Sequence, residues 1–241
     1  LSVEGKKYYP MTGELSPDAV KKPFQGADAP ATPVMKAGKK GLSTSMKLPP
    51  RPPSLCPGCP HQLIFKTLNR LGVIVTGDIG CYTLGVLPPY NSMDTCVEMG
   101  GSIGHAQGIE IAEGPDFRSN VVAVIGDSTF AHSGITGLVN AAYNGRHSLI
   151  IVLDNSTTAM TGMQPNPLSG ERINGEPAVQ LDYIKLGEAC GLESGNIRIV
   201  DAYKPAEIEE SITTLLGSGK LSLLVVKGLC VILKKRKKRN A

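Results

Sequence analysis

The sequence predicts an α/β fold, a doubly wound and mostly parallel sheet with helices on both faces. Residues 121–125 (Val-Val-Ala-Val-Ile) and 149–153 (Leu-Ile-Ile-Val-Leu) are short, branched and continuously apolar, as strands covered on both faces are. Strand-like and helix-like segments alternate along the chain. Both apolar runs end in small, acidic or amide residues, Gly126-Asp-Ser128 and Asp154-Asn155. Ligands of such sheets bind there, outside the carboxyl ends of the strands.

The elements follow in order. Residues 60–71 have helical spacing of Leu63, Ile64, Thr67 and Leu68. Residues 72–76, Gly-Val-Ile-Val-Thr, read as a strand. Residues 102–112 read as a helix after the glycine-rich Met99-Gly-Gly-Ser-Ile-Gly104. Strand 121–125, helix 134–144 and strand 149–153 form a βαβ unit with an expected right-handed crossover. A helix at 179–189, a short strand at 197–200 and a helix at 205–216 come next, and strand 221–226 closes the sheet. No internal repeat is evident. The folded domain is expected over 54–232. Residues 1–53, rich in Pro, Lys, Gly and Ser without periodicity, read as an extended connector, and 233–241 as a basic tail.

A chain of 241 residues with 41% hydrophobic residues can bury one large core. Its formal charge of +4 overstates the basicity of the domain, because six basic residues crowd into Lys234-Lys-Arg-Lys-Lys-Arg-Asn240. The rest is near neutral, which argues against a nucleic-acid-binding face; the basic run reads as a solvated end. Residues 221–233, the longest apolar stretch, contain Lys227 and Gly228 and are too short to span a bilayer. The N-terminus is polar and unlike a secretory signal, so six Cys point to reduced thiols or metal ligands and to a cytoplasmic protein.

Two adjacent strand ends would present Asp127 and Asn155 at one rim. A carboxylate and an amide oxygen, with backbone carbonyls and water, suit Mg2+ and leave coordination positions to phosphates. Gly126 would let a phosphate approach the backbone. Ser128 and Thr129 would donate hydrogen bonds at a helix start. The plainer alternative is a strand-to-helix turn with an Asp cap. Among the cysteines, Cys56 and Cys59 form a Cys-x-x-Cys, Cys81 follows a strand, and Cys230 follows the last one. Four thiolates meeting at one rim would suit a [4Fe-4S] cluster or zinc. Cys190 reads as a buried apolar residue and His105 as a packing residue, while His132 fits packing or a place facing the phosphates equally.

Gly126-Asp-Ser-Thr-Phe130 and Asp154-Asn155 resemble the Gly-Asp-Gly … Asn-Asn motif of thiamine-diphosphate enzymes, with Ser128 and Asp154 as departures. The wider set resembles the α subunit of indolepyruvate ferredoxin oxidoreductases. It comprises His132-Ser-Gly134, Asp154-Asn-Ser-Thr-Thr-Ala-Met-Thr-Gly162, Cys56-Pro-Gly-Cys-Pro-His61, Gly77-Asp-Ile-Gly-Cys-Tyr82 and Met99-Gly-Gly-Ser-Ile-Gly104. Upstream, Gly13-Glu-Leu-Ser-Pro17 resembles the segment before the family's cofactor domain. Gln62 stands where Arg is expected and Met163 where His is expected.

The resemblance implies a thiamine-diphosphate-binding fold. It implies Mg2+ held by Asp127, Asn155 and the Thr157 carbonyl, and cofactor contacts from Gly80, Cys81, Tyr82, Gly100, Ser102, Thr161 and Gly162. It implies a [4Fe-4S] cluster on Cys56, Cys59, Cys81 and Cys230. Three alternatives stay open: a Cys-x-x-Cys that is redox-active or half of a zinc site, Cys81 beside the thiazolium ring, and Cys96 in place of Cys230. The implied reaction is oxidative decarboxylation of an aryl 2-oxoacid, with coenzyme A taking the acyl group and ferredoxin the electrons. The activating Glu belongs to a pyrimidine-binding domain that residues 1–53 could not form, so the chain is expected to bind the diphosphate half of the cofactor alone. That domain or chain, a β subunit and ferredoxin are the implied partners, in an oligomer. The family's ferredoxin-like domain would begin where the basic tail lies. Two rival readings are a non-oxidative thiamine-dependent decarboxylase, which needs no electron exit, and a non-catalytic iron–sulfur or zinc interaction module, which would not bind thiamine diphosphate.

Overall fold

The computed structural model describes residues 9, 16–21, 24, 51–114 and 120–240. Packing separates Leu1–Arg51 from Pro52–Ala241. Most of the expected connector lies outside the described residues. Within it, helix α1 (Pro17–Lys21) starts where the Ser16 hydroxyl accepts a hydrogen bond from Ala19 N at 3.2 Å.

The second unit is built on six parallel strands. These are β1 (Ile74–Gly77), β2 (Thr95–Cys96), β3 (Val121–Gly126), β4 (Leu149–Asp154), β5 (Ile197–Asp201) and β6 (Ser222–Lys227). They lie in the order β2-β1-β3-β4-β6-β5. Every residue of β3 and β4 is buried, as continuous apolar runs require of strands covered on both sides. Alternate residues supply two cores. Val122, Val124, Ile151 and Leu224 face α2 (His61–Leu71) and α7 (Pro205–Gly217). Ala123, Ile125, Ile150 and Leu223 face α3 (Ser102–Glu113), α5 (Ile135–Tyr143) and α6 (Tyr183–Ala189).

The structure departs from expectation in four places. Helix α6 begins at Tyr183 rather than 179, because the Asp182 carboxylate caps it by accepting from Ile184 N and Lys185 N. The helix expected from 134 begins at once after β3, as α4 (Asp127–Thr129), and widens through a π turn over Phe130–Gly134 before α5. Strand β2, two residues long, was not foreseen; it pairs Thr95 with Thr76. The basic tail is helical, as α8 (Val231–Asn240), with its cations exposed. Among the described residues, no helix is long and apolar enough to cross a membrane.

One buried carboxylate ties a helix to the central strands. Glu110 of α3 accepts from His147 N at 3.0 Å, Ser148 N at 3.2 Å and His147 Nδ1 at 3.0 Å, all just before β4. Glu110→Ala would leave buried donors without a partner. We expect it to lower the unfolding free energy by about 3 kcal/mol, read as a reduced urea midpoint at unchanged slope. A loss below about 0.5 kcal/mol would contradict this role.

Candidate functional site

Because the strands are parallel, the loops after β1, β3 and β4 gather on one rim. They enclose a cavity of about 200 Å³. Of the residues expected there, Gly80, Cys81, Tyr82, Gly126, Asp127, Ser128, Thr129, Asn155, Thr157 and Thr161 line it. Gly100, Ser102 and Gly162 do not. Gly100 N donates to Asp78 Oδ2 at 2.7 Å, and the Ser102 carbonyl accepts from Thr76 Oγ1 at 2.8 Å. These two residues hold the start of α3 against β1, behind the cavity. Gly162 lies in the following turn at φ 128°, beside Met163, itself left-handed at φ 67°.

Asp127 is the first residue after β3 and is 3% exposed. Its Oδ1 accepts from Ser128 N at 2.7 Å, while its buried Oδ2 has no protein partner. Burial, then repulsion from the Asp154 carboxylate, pushes its pKa up to about 7, against the opposing hydrogen bond from Ser128 N. Asn155 Oδ1 accepts from Thr157 N at 3.1 Å across a turn in which Ser156 is left-handed at φ 62°. The orphan carboxylate oxygen, the amide oxygen and the adjacent main-chain carbonyl are hard oxygen donors with one negative charge to offset. That set fits Mg2+ carrying additional phosphate ligands.

Asp154 is buried but served. Its Oδ1 accepts from Ser156 N at 2.8 Å, its Oδ2 accepts from the Tyr183 hydroxyl at 3.3 Å, and Lys227 Nζ lies 3.6 Å away.

The space beside Gly126 is shared with a side chain of the protein. A Cβ there would lie 2.6 Å from Tyr82 Cε1, and one at Gly80 would lie 2.3 Å from the same atom. The Tyr82 ring fills the space both glycines leave, and its hydroxyl donates to the Ile79 carbonyl at 3.0 Å. Close approach to Gly126 is therefore made by a side chain of this protein.

A second cavity, of about 70 Å³, is lined by Cys56, Cys59, Cys81 and Cys230. Burial pushes the Cys59 thiol up to about 11, and neighbouring Cys56, Cys81 and Cys230 add to the shift, while a hydrogen bond from the His61 backbone opposes it. Burial and the neighbouring Cys230 and Cys56 raise Cys81 as well. The Cys-x-x-Cys turn is held by Cys59 N on the Cys56 carbonyl at 2.9 Å, and Gln62 Nε2 donates to the same carbonyl at 2.8 Å. Cys96 lies elsewhere, its thiol donating to the Asp78 carbonyl at 3.4 Å. Cys190 is half-buried rather than buried, packed against the second core. Among the described residues, no three or more His, Cys, Asp or Glu side chains already stand as a metal cage. Cys81, Asn155 and Ala159 line both cavities and form their common wall.

Asp78, His61 and Thr158 were missed as site residues. Asp78 is fully buried and accepts from Ile79 N and Gly100 N, both at 2.7 Å, joining two loops of the rim. The signal was present: Gly77-Asp78 repeats the strand-end pattern of Gly126-Asp127. Thr158 Oγ1 donates to Ser128 Oγ at 2.9 Å, linking the two halves of the motif. Burial holds His61 down at about 4, so its imidazole is neutral at neutral pH. His132 is exposed and lines neither cavity; His105 is half-buried, with its Nδ1 lacking a partner.

Comparison with known proteins agrees with this geometry. Residues 78–226 match the family described as thiamine pyrophosphate enzyme, C-terminal TPP binding domain. Indolepyruvate oxidoreductase subunit IorA of Pyrococcus horikoshii is 39% identical over 249 aligned residues, covering 96% of this chain and 38% of that protein. The chain thus spans about two fifths of the length of this relative. A solved structure of 2-oxoglutarate:ferredoxin oxidoreductase from Magnetococcus marinus, with 2-oxoglutarate, coenzyme A and succinyl-CoA bound, superposes with a TM-score of 0.63 at 18% identity, over 76% of this chain and 66% of that one. Benzoylformate decarboxylase from Polynucleobacter necessarius superposes with a TM-score of 0.53 at 17% identity, over 75% of this chain and 36% of that one. At these identities the likeness is one of fold.

The Asp127 carboxyl makes a pH prediction. Its ordinary value is 3.8 and its folded value about 7, so between these the folded state binds the extra proton. Stability of the metal-free protein therefore falls as pH rises through this window, and the penalty is complete above it. Urea unfolding from pH 4 to 8 in chelator should show this decline, reduced in Asp127→Asn. An identical decline in the variant would contradict the assignment.

Proposed function

The chain belongs to the thiamine pyrophosphate enzymes, whose C-terminal TPP binding domain it carries over residues 78–226, and from that premise we propose that it is the diphosphate-binding part of an indolepyruvate ferredoxin oxidoreductase. The reaction is oxidative decarboxylation of arylpyruvates to aryl-acetyl-CoA, with electrons passing to ferredoxin. The observation that carries this reading is the wall shared by the two cavities at Cys81, Asn155 and Ala159. A non-oxidative decarboxylase needs no electron exit, and four cysteines beside the cofactor cavity would supply one. The fold alone does not discriminate, since the decarboxylase superposes too. The IorA relative supports the substrate class.

In this reading Asp127 Oδ2, Asn155 Oδ1 and the Thr157 carbonyl hold Mg2+. Ser128 and Thr129, at the start of the helix after β3, donate to the diphosphate. Cys56, Cys59, Cys81 and Cys230 hold a [4Fe-4S] cluster. Thiols raised well above neutrality give up their protons to a metal, so cluster loading releases protons. When bound, thiamine diphosphate supplies carbanion stabilisation and the cluster a one-electron path, neither of which side chains provide. Tyr82, between Gly80 and Gly126, closes one side of the cavity to water. A pyrimidine-binding domain completes the cleft and brings the activating Glu; a β subunit, coenzyme A and ferredoxin complete the system. The site of action is the cytoplasm, in keeping with free thiols.

Two measurements test this. Anaerobically purified protein should contain about four iron atoms per chain, lost in Cys59→Ala. Stoichiometric zinc without iron would overturn the electron path. The assembled enzyme should reduce a viologen dye with indolepyruvate in a coenzyme A-dependent reaction that Asp127→Ala abolishes, and the 241 residues alone should be inactive. Full turnover by Asp127→Ala would remove the Mg2+ assignment.

A further inference from the structure

His61 lines the cysteine cavity, and its ring lies edge-on to Tyr82, which lines the other, at a centroid distance of 6.2 Å. The side chain is nearly inaccessible, at 2% exposure. Its Nε2 lies 3.2 Å from Asn155 Nδ2.

The other end of the Asn155 amide fixes the roles in that bond. Thr157 N is a main-chain donor and cannot act as an acceptor, so the group 3.1 Å from it must be the amide oxygen. The amide nitrogen then faces His61. A nitrogen that donates requires Nε2 to accept, and the imidazole proton sits on Nδ1. Asn155, Thr157 and Asp127 all line the cofactor-side cavity, so the amide oxygen and the Asp127 carboxyl stand on the same wall system.

We propose that His61 is a positioning residue that fixes the Asn155 amide with its oxygen toward Asp127 and Thr157, where the Mg2+ of the proposed cofactor site would bind. The inference rests on the thiamine-diphosphate reading. Thr157 N holds the oxygen end of the amide and the His61 Nε2 acceptor holds the nitrogen end, so the amide is restrained at both ends. An amide turned over would offer the cation a nitrogen with no lone pair to give. His61 is not a catalytic residue here; it acts through Asn155.

The test uses the assembled, anaerobically purified protein and calorimetric titration of thiamine diphosphate at graded Mg2+. His61→Gln places an acceptor oxygen where Nε2 stood. His61→Phe keeps the ring volume without an acceptor, and His61→Asn has an acceptor too short to reach Asn155. Wild type and His61→Gln should bind Mg2+ with affinities within about threefold of each other. His61→Phe and His61→Asn should weaken Mg2+ binding about ten- to a hundredfold, as loss of a partner behind a metal ligand does. Where His61→Phe does not fold, His61→Asn carries the comparison. Equal affinities in all four proteins would overturn the positioning role while leaving the cofactor reading intact. Equal losses in Gln, Phe and Asn would overturn it too, assigning His61 to packing. Absence of Mg2+-dependent binding in wild type would instead bring down the cofactor reading, and this inference with it.

Discussion

A parallel sheet sends the carboxyl end of every strand to the same rim, and the rest of this structure depends on that constraint. β1, β3, β4 and β6 therefore release Asp78, Asp127, Asn155 and Cys230 into neighbouring loops. The register is tight enough for Asp154 at the end of β4 to lie opposite Lys227 at the end of β6. The two cores that cover the sheet keep these ends fixed, so groups far apart in sequence meet without a dedicated scaffold. Cys81 and Cys230 share a cavity for this reason, and so do Asp127 and Asn155.

The rim carries charge that the fold does not fully offset. Asp78 and Asp154 are buried with hydrogen bonds to nearby groups, and Lys227 stands beside Asp154. Asp127 keeps one oxygen bare and faces a second carboxylate. Such an arrangement costs stability without a cation and gains when one binds, the expected balance for a site whose ligand is part of the working protein. The cysteine cavity follows the same logic: buried thiols with raised values are stable as thiols, and a metal shifts them to thiolates. The two adjoining cavities share Asn155 in their wall, and His61 contacts that wall from the cysteine side.

Much of this was legible in the sequence, for physical reasons that can be named. β3, β4 and β6 could be read because burial on both faces leaves an unbroken apolar run. The placing of Asp127 and Asn155 at one rim could be read because adjacent parallel strands end on the same side. Other features depend on partners distant in sequence. The Tyr82 ring beside Gly126 leaves no room for a Cβ there, a contact that local sequence pattern does not reveal. Gly100 and Ser102 belong to the expected motif but act behind the cavity, since their partners are Asp78 and Thr76. The choice between Cys96 and Cys230 could not be made from spacing; in the fold, Cys96 turns to the Asp78 carbonyl and Cys230 lines the cavity. β2 is too short to show any period, and the start of α6 was set by the Asp182 cap rather than by the apolar spacing that preceded it.

The central claim is that one rim holds two adjoining cation sites with Asn155 between them. Anomalous diffraction from crystals of the assembled protein, grown anaerobically with thiamine diphosphate and Mn2+ in place of Mg2+, tests it most directly. Data at the manganese and iron edges should place manganese against Asp127, Asn155 and the Thr157 carbonyl, and iron among Cys56, Cys59, Cys81 and Cys230, on opposite sides of the shared wall. Manganese bound away from Asp127 and Asn155, or iron bound away from these cysteines, would contradict it.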